Sequence, residues 1–233
     1  MKLLSISGNT KIEKTNRKAG KYLFAGLSMF PDSTICPASK IAGCFDDCLK
    51  SAGRGIFRNV VAARQRKSDW WRSDRDGFLD QLRADLSAFQ RKAHKAGKTP
   101  VVRLNVISDI AWEDYGIPQS FPNIRFYDYS KRSDRFIQNL PDNYYLTFSY
   151  SGEARFVKHV ERARQHGANI AVVFSGGLPS QFLGRRVIDG DEHDIRIDDP
   201  KGIIIGLRAK GPAKKSSNPF IVRNPELIGA DHG

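Results

Sequence analysis

Cys36, Cys44 and Cys48 are the chain's three cysteines, and they fall within thirteen residues in the stretch ICPASKIAGCFDDCLKSAGRG, Ile35 to Gly55. An odd trio of thiols argues against a disulfide framework, which normally shows an even count in a secreted chain. Their C-x₇-C-x₃-C spacing matches no zinc ribbon, which uses paired C-x₂-C units and four protein ligands. Three thiolates can instead hold a zinc ion or an iron–sulfur cluster and leave one position open for chemistry. Pro37 stiffens the neighbourhood of the first thiol, Gly43 permits a tight turn before the second, and Gly53-Arg54-Gly55 permits close backbone approach to a cofactor or phosphate. The alternative is three thiols packed in a core.

Carboxylates and small polar residues form a second group. NVISDIAWED supplies Asn105, Ser108, Asp109 and Glu113; YDYSKR supplies Asp128, Ser130 and Lys131; SYSGE and SGG supply Ser149, Ser151 and Gly176. Carboxylates that share a cavity separate in pKa, which is how a site obtains an acid and a base. Asp109, Asp128, Lys131 and Glu113 are therefore the candidate catalytic residues, with Asn105, Ser149, Ser151 and Gly176 as cofactor-binding candidates. Asp109 and Asp128 acting only as helix caps is the competing reading. The acidic run DGDEHD, Asp189 to Asp194, has metal-binding residue types, but a solvated hairpin with a turn-forming Asp-Gly is preferred. P-loop, HExxH and GxSxG patterns are missing, which demotes nucleoside triphosphatases, zincins and serine hydrolases.

The partner is suggested by charge. Thirty-eight Lys and Arg against 25 Asp and Glu give a formal net charge of +13, enough to attract a polyanion. Arg54, Arg58, Arg64, Arg66 and Lys67 crowd one helical segment directly after the cysteines. They are the candidate nucleic-acid contacts, with a solvated basic helix as the alternative.

The elements that must position these groups follow from periodicity. Val101 to Ser108, Ile124 to Tyr129, Tyr144 to Tyr150 and Ile170 to Gly177 are apolar runs rich in β-branched and aromatic residues, as strands are. Glu153 to Gly167 is a helix ending on a glycine cap, and Asp74 to Lys98 is a long amphipathic helix whose Phe78, Leu82, Leu86 and Phe89 share one face. RRVIDG and KGIIIGLRAKG add later strands. Strand, helix and strand in alternation imply parallel pairing, and parallel sheets gather functional groups at the C-terminal ends of their strands. A single α/β domain over residues 1–233 is expected, as a parallel (β/α) barrel or partial barrel. At 40% apolar and 27% charged residues the composition is that of a soluble globular protein. No apolar run approaches the roughly 18 residues of a membrane span, and the opening MKLLSISGNTKIEK lacks a secretory h-region. A cytoplasmic location is the expectation.

The cysteine stretch, with VVRLNVISDIAWE, YDYSKR, LTFSYSG and VIDGDEHDIR, resembles a bacteriophage family known as gene product 88, over most of the chain. That resemblance implies a phage origin, and a host-cytoplasmic location with it, but no reaction. The layout is also similar to radical S-adenosylmethionine enzymes, a TIM-like class in which three cysteines follow the first barrel strand and hold a four-iron cluster whose open iron takes the cofactor. Here YLFAGLS or LLSIS would be that strand. The usual spacing is C-x₃-C-x₂-C, so this chain departs from the pattern, and zinc stays open beside a cluster. Three functions are carried forward: a metal- or cluster-dependent enzyme modifying a nucleic-acid base or nucleotide, a base-exchanging transglycosylase of the 7-deazaguanine type using Asp109 and Asp128, and a non-enzymatic nucleic-acid-binding protein with a structural metal.

Overall fold

A computed structural model describes residues 1–6, 10–18, 20–45, 48 and 53–223. Strands and helices alternate through most of it. The order is α1 (Thr10–Lys18), β1 (Tyr22–Gly26), α2 (Arg58–Ser73), α3 (Arg75–Lys95), β2 (Thr99–Arg103), α4 (Ile117–Ser120), β3 (Arg125–Ser130), β4 (Tyr144–Ser149) and α5 (Val157–Gln165). Then come β5 (Asn169–Phe174), β6 (Gln181–Phe182), β7 (Arg185–Asp189), β8 (Ile204–Arg208) and β9 (Ile221–Val222).

The strands form one nine-stranded sheet in the order β1-β2-β3-β4-β5-β8-β7-β6, with β9 also on β5. Every pairing is parallel except the β6–β7 hairpin. The mixed α/β class and the parallel order follow the sequence expectation; closure does not. A barrel needs its first and last strands to bond, whereas β6 ends the sheet as a two-residue antiparallel strand and β1's outer side carries an isolated bridge from Ser5 to Gly26. The sheet is open among the described residues.

Both faces are covered, which is why the central strands read as nearly continuous apolar runs. On one face Ala25, Val102, Leu104 and Phe126 pack under α2 and α3 through Trp71, Phe78, Leu82 and Leu86, and Phe148, Ile170, Val172 and Phe174 pack under α5 through Val160 and Ala163. On the other face Tyr22, Phe24, Val101 and Tyr127 meet Ile12, Ile195 and Ile197. This alternation decides which strand residues can reach the cavity described below.

Several boundaries move inward from the sequence reading. Asp74 caps α3 by accepting from the Gly77 N–H at 2.9 Å, so the helix starts one residue later than expected. The first turn of the helix at 153–167 is 3₁₀, over Ala154–Phe156. β2 stops at Arg103 because Leu27 N–H bonds to the Arg103 carbonyl and Val106 N–H to the Leu27 carbonyl, turning the chain across the end of β1. DGDEHD is no hairpin: β7 and β8 are parallel, so Asp189-Gly190 opens a crossover, and the hairpin turn lies upstream at Leu183 and Gly184, both with positive φ.

One edge of β5 is shared. β4 pairs with its first half, at Asn169 to Ala171, and β9 with its second half, at Val173 and Phe174. The last β4 contact is Tyr150 N–H to the Ala171 carbonyl at 2.9 Å, after which Ser175 N–H turns to the Val222 carbonyl at 3.0 Å. β4 and β5 therefore part company at their C-terminal ends.

Candidate functional site

A cavity of about 220 Å³ occupies the C-terminal ends of β2 to β5 and β8 and the loop after β1, beside that parting. Its wall includes Cys36, Cys44 and Cys48 from the β1–α2 loop, Asn105, Ser108 and Asp109 from the loop after β2, and Lys131 and Ser149 from the ends of β3 and β4. Tyr129, Ala171, Val173 and Leu207 give it an apolar floor, and Arg103, Arg208 and Lys210 complete the polar side. Asp109 is the one carboxylate among the described lining residues.

The cysteine loop is set by short-range bonds. Cys36 N–H donates to the Asp32 carbonyl at 2.8 Å, Ser39 closes on the Cys36 carbonyl through both N–H and hydroxyl, and Cys44 N–H returns to the Ser39 carbonyl at 3.1 Å. Asp109 N–H bonds to the Ile35 carbonyl at 2.9 Å, tying the loop to the end of β2. Gly43, at φ +65°, lies against Glu153 and Asn218, and the Asn218 amide donates to its carbonyl. The thiols are half-buried and are not joined in a disulfide. Burial pushes Cys36 far above the ordinary thiol value, and the nearby Asp109, Cys48 and Cys44 add to it. Burial also raises Cys44, while the Lys131 ammonium pulls the other way. The trio thus shares one wall and one electrostatic neighbourhood. Among the described residues, no group of three His, Cys, Asp or Glu is gathered closely enough to hold a metal ion.

Asp109 accepts from the Ser130 hydroxyl at 2.7 Å, from Lys131 N–H at 2.8 Å and from Arg135 at 3.2 Å. Lys131 Nζ donates to Ser149 Oγ at 2.9 Å and stands 4.4 Å from the centre of the Phe220 ring. Burial lowers its pKa, and the neighbouring Cys44 and Asp109 work against that shift.

The remaining candidates lie elsewhere. Asp128 is fully buried outside the lining, accepting from Asn105 N–H at 2.7 Å, Asn105 Nδ2 at 3.1 Å and Tyr144 hydroxyl at 2.7 Å. On β3 it alternates with Tyr127 and Tyr129, so with Tyr129 lining the cavity it faces away. The two-carboxylate pair needed for transglycosylation is therefore not assembled in this cavity. Burial raises Asp128 to about 7, opposed by its hydrogen bonds from Tyr144 and Asn105. Glu113 is buried against Arg135, with bonds of 2.7 Å from Nε and from Nη2. Ser151 accepts from Glu153 N–H at 3.2 Å, and neither it nor Gly176 lines the cavity.

The basic helix divides by its 3.6-residue period. Arg58 and Arg66 are exposed, whereas Arg64 and Lys67 lie on the side of the buried Ser68 and Trp71. Lys67 Nζ donates to the Leu3 carbonyl at 2.8 Å, and burial lowers it to about 8, with Asp85 opposing. Lys67 thus ties α2 to the N-terminal segment. The side chain of Arg54 lies outside the described residues. The acidic run does not pack on this helix: Asp194 binds Arg103 at 3.1 Å, Asp189 binds Arg208 at 2.8 Å, and Asp191 binds Lys210.

Two residues missed in the sequence organise the site. Arg103 alternates with Val102 and so shares the face of Val101, on the cavity side, and its guanidinium lies 4.5 Å from the centre of the Tyr129 ring while Tyr127 hydroxyl supports its partner Asp194 at 2.9 Å. Strand alternation carried that signal. Arg135 sits in a 3₁₀ turn after β3 and joins Glu113, Asp109 and Tyr144 in one buried network; no local pattern marks it.

Fold and site together define an open, mostly parallel α/β protein with a thiol-lined cavity at the strand ends. The chain belongs to a phage gene-product family, the one described as Gene product 88, whose model matches residues 1–224. No curated protein and no solved structure matches it. Among the described residues no helix is long and apolar enough to cross a membrane.

Proposed function

We propose that the chain is an enzyme that modifies a nucleic-acid base or nucleotide in this cavity, with Cys36, Cys44 and Cys48 holding an iron–sulfur cluster or a zinc ion. The observation that carries the reading is that all three thiols share one cavity wall with Asp109, Lys131 and Ser149. The donors suit such a group in kind. Cys36 and Cys44, held protonated by burial, are thiols that a cation would relieve, since ligation replaces the proton. Drawing them around one centre requires side-chain movement within the cysteine loop. When bound, the group would supply a Lewis acid or an electron source at the cavity wall.

The protein's own residues have separable roles in this reading. The floor of Tyr129, Ala171, Val173 and Leu207 offers an apolar bed for a flat base and excludes water. Lys131 Nζ, oriented by Ser149, presents a positive charge to the substrate. Asp109, fixed by Ser130, Lys131 N–H and Arg135, is the carboxylate placed to accept a proton. The position of the thiols directly after β1 supports the finer reading, a cluster with one open iron that takes S-adenosylmethionine.

Anaerobic purification followed by iron, sulfide and zinc analysis tests this. The expected result is near-stoichiometric metal in the wild type and its loss in Cys36→Ser, Cys44→Ser and Cys48→Ser. Metal-free wild-type protein, or metal retained by the triple variant, would overturn it. Mass spectrometry of nucleosides from DNA and RNA incubated with the loaded protein tests the substrate class.

A further inference from the structure

A second concavity lies at the opposite end of the sheet from the thiols. It is a groove of about 450 Å³ between the C-terminal end of α3, the start of β2 and the loop before β3, and Arg91, His94, Lys98, Thr99, Pro100 and Asn123 line it. The strand register explains the gap. β2 and β3 pair only from Val101 and Arg125 onward, so Thr99 and Pro100 run ahead of the ladder with no β3 partner, and the groove opens between them and Asn123. Thr99 lines this groove and Arg103 lines the cavity, which sets the two about 13 Å apart along one strand at about 3.3 Å per residue.

The charge here is one-sided. The sequence holds no Asp or Glu between Asp85 and Asp109, a stretch that carries Arg91, Lys92, Lys95 and Lys98. Lys21 adds a further cation, because its carbonyl accepts the Thr99 N–H at 2.9 Å and the two residues stand side by side. The side chains of Arg91, His94, Lys95 and Lys98 form no hydrogen bond or ion pair among the described residues. Cations in a last helical turn ordinarily answer the carbonyls exposed there. In α3 those carbonyls are already taken: Ala96 N–H bonds to Lys92 and Ala93, Gly97 N–H to His94 and Lys98 N–H to Ala93, a closure that Gly97 permits at φ +62°. Arg91 stands before that turn and Lys98 beyond the helix, so the helix end accounts for neither.

Cations set around a groove without acids among them complement a polyanion. A membrane surface is the poorer match, because stable attachment adds an apolar anchor to the charges. The exposed large hydrophobic side chains among the described residues are Met1, Ile41, Ile56, Phe57, Ile137 and Val157, and none lies on the segments that form the groove. We infer that this groove binds the phosphodiester backbone of a nucleic-acid strand, at a site separate from the thiol cavity. Arg91 offers phosphate a planar fork and Lys98 a point charge, with the Asn123 amide on the β3 side. The inference depends neither on the chemistry of the cavity nor on a metal.

Fluorescence anisotropy of labelled single-stranded and duplex oligonucleotides, titrated with the full chain at several salt concentrations, tests the site. The wild type should bind with strong salt dependence. Arg91→Gln combined with Lys98→Gln should weaken binding at least about tenfold near 0.1 M salt, and should lower the slope of log affinity against log salt by about 1.4 for a single strand or about 1.8 for a duplex. Its melting temperature should match the wild type, since neither side chain has a partner to lose. Lys158→Gln combined with Arg162→Gln removes the same charge from exposed positions on α5 and should stay within about twofold of wild type. Tighter binding of the single strand or of the duplex assigns the form of the partner. Binding of neither oligonucleotide, equal losses in the two double variants, or attachment to phosphatidylserine vesicles alone would overturn the inference. The triple cysteine variant should bind as the wild type does, which keeps failure here distinct from failure of the thiol reading.

Discussion

Arg135 and Glu113 face one another through two parallel bonds of 2.7 Å, with both side chains almost fully withdrawn from solvent. The same guanidinium reaches Asp109 at 3.2 Å and the Tyr144 hydroxyl at 2.9 Å, and that hydroxyl donates to Asp128. The cavity's carboxylate is thus the visible end of a buried network that runs beneath the strand ends. Removing the hub leaves Glu113 as a buried charge without its cation and takes from Asp109 one of its three bonds. Arg135→Met should destabilise the protein by about 3–5 kcal/mol, read by urea denaturation. Adding Glu113→Leu to it should recover part of that loss, because the stranded charge is removed as well. A single variant within about 0.5 kcal/mol of wild type would show that the network does not hold the loop.

How far the site could be read in advance depends on the kind of interaction. The parallel order was legible because β2 to β5 alternate with helical segments, and the cysteine loop was legible because its residues are neighbours in sequence. Asp128 was misplaced although the information was there: in RFYDYS, alternation puts Tyr127 and Tyr129 on one face and Asp128 on the other. The same rule applied to α2 would have separated Arg58 and Arg66 from Arg64 and Lys67. Closure of the sheet was not legible, because it depends on whether two edges more than a hundred residues apart in sequence meet. β9 was hidden too, being two residues long and paired only by the chance of which half of the β5 edge β4 leaves free.

Asp128 makes stability depend on pH in a definite direction. Its folded-state pKa is raised by burial to about 7 from the ordinary 3.8, so between those values the folded protein holds a proton that the unfolded chain has released. Stability from this group is therefore greatest below about pH 4 and declines as pH rises to about 7, beyond which it is level. Asp128→Asn keeps the shape and cannot ionise. Thermal melts from pH 4 to 8 should show a wild-type decline, worth up to a few kcal/mol, that the variant lacks. Parallel curves for the two proteins would mean that Asp128 titrates normally.

Lys131 is the charge that pulls against the burial of Cys44. Without it the thiol should ionise less readily, and the thiolate is the reactive form. In metal-free protein at pH 8, Lys131→Met is expected to slow alkylation of Cys44 by iodoacetamide several-fold, followed by peptide mass spectrometry. The fold should survive, since a methionine stem fills the same space beside Phe220. An unchanged rate would separate the ammonium from the thiol.

Gly43 holds the cysteine loop against the rest of the site. Its φ of +65° is one that side chains resist, and a Cβ there would stand 2.7 Å from Glu153 Oε1 and 2.8 Å from Asn218 Oδ1. Both neighbours matter to the cavity. Glu153 belongs to the segment after β4, and Asn218 lies two residues before Phe220, which packs on Lys131. Gly43→Ala must therefore strain the backbone or push these elements apart, at a cost of about 1–3 kcal/mol. Because the adjoining residue is Cys44, the displacement should reach the thiols, and alkylation of Cys44 should accelerate even where the melting temperature falls only slightly. Gly20→Ala is the matched control: it has positive φ, at +52°, but meets no atom within 4 Å of its Cβ. It should lower stability through the backbone alone and leave thiol reactivity unchanged. If both variants alter Cys44 equally, the effect comes from general loosening and the contact of Gly43 with Glu153 and Asn218 is not what positions the loop.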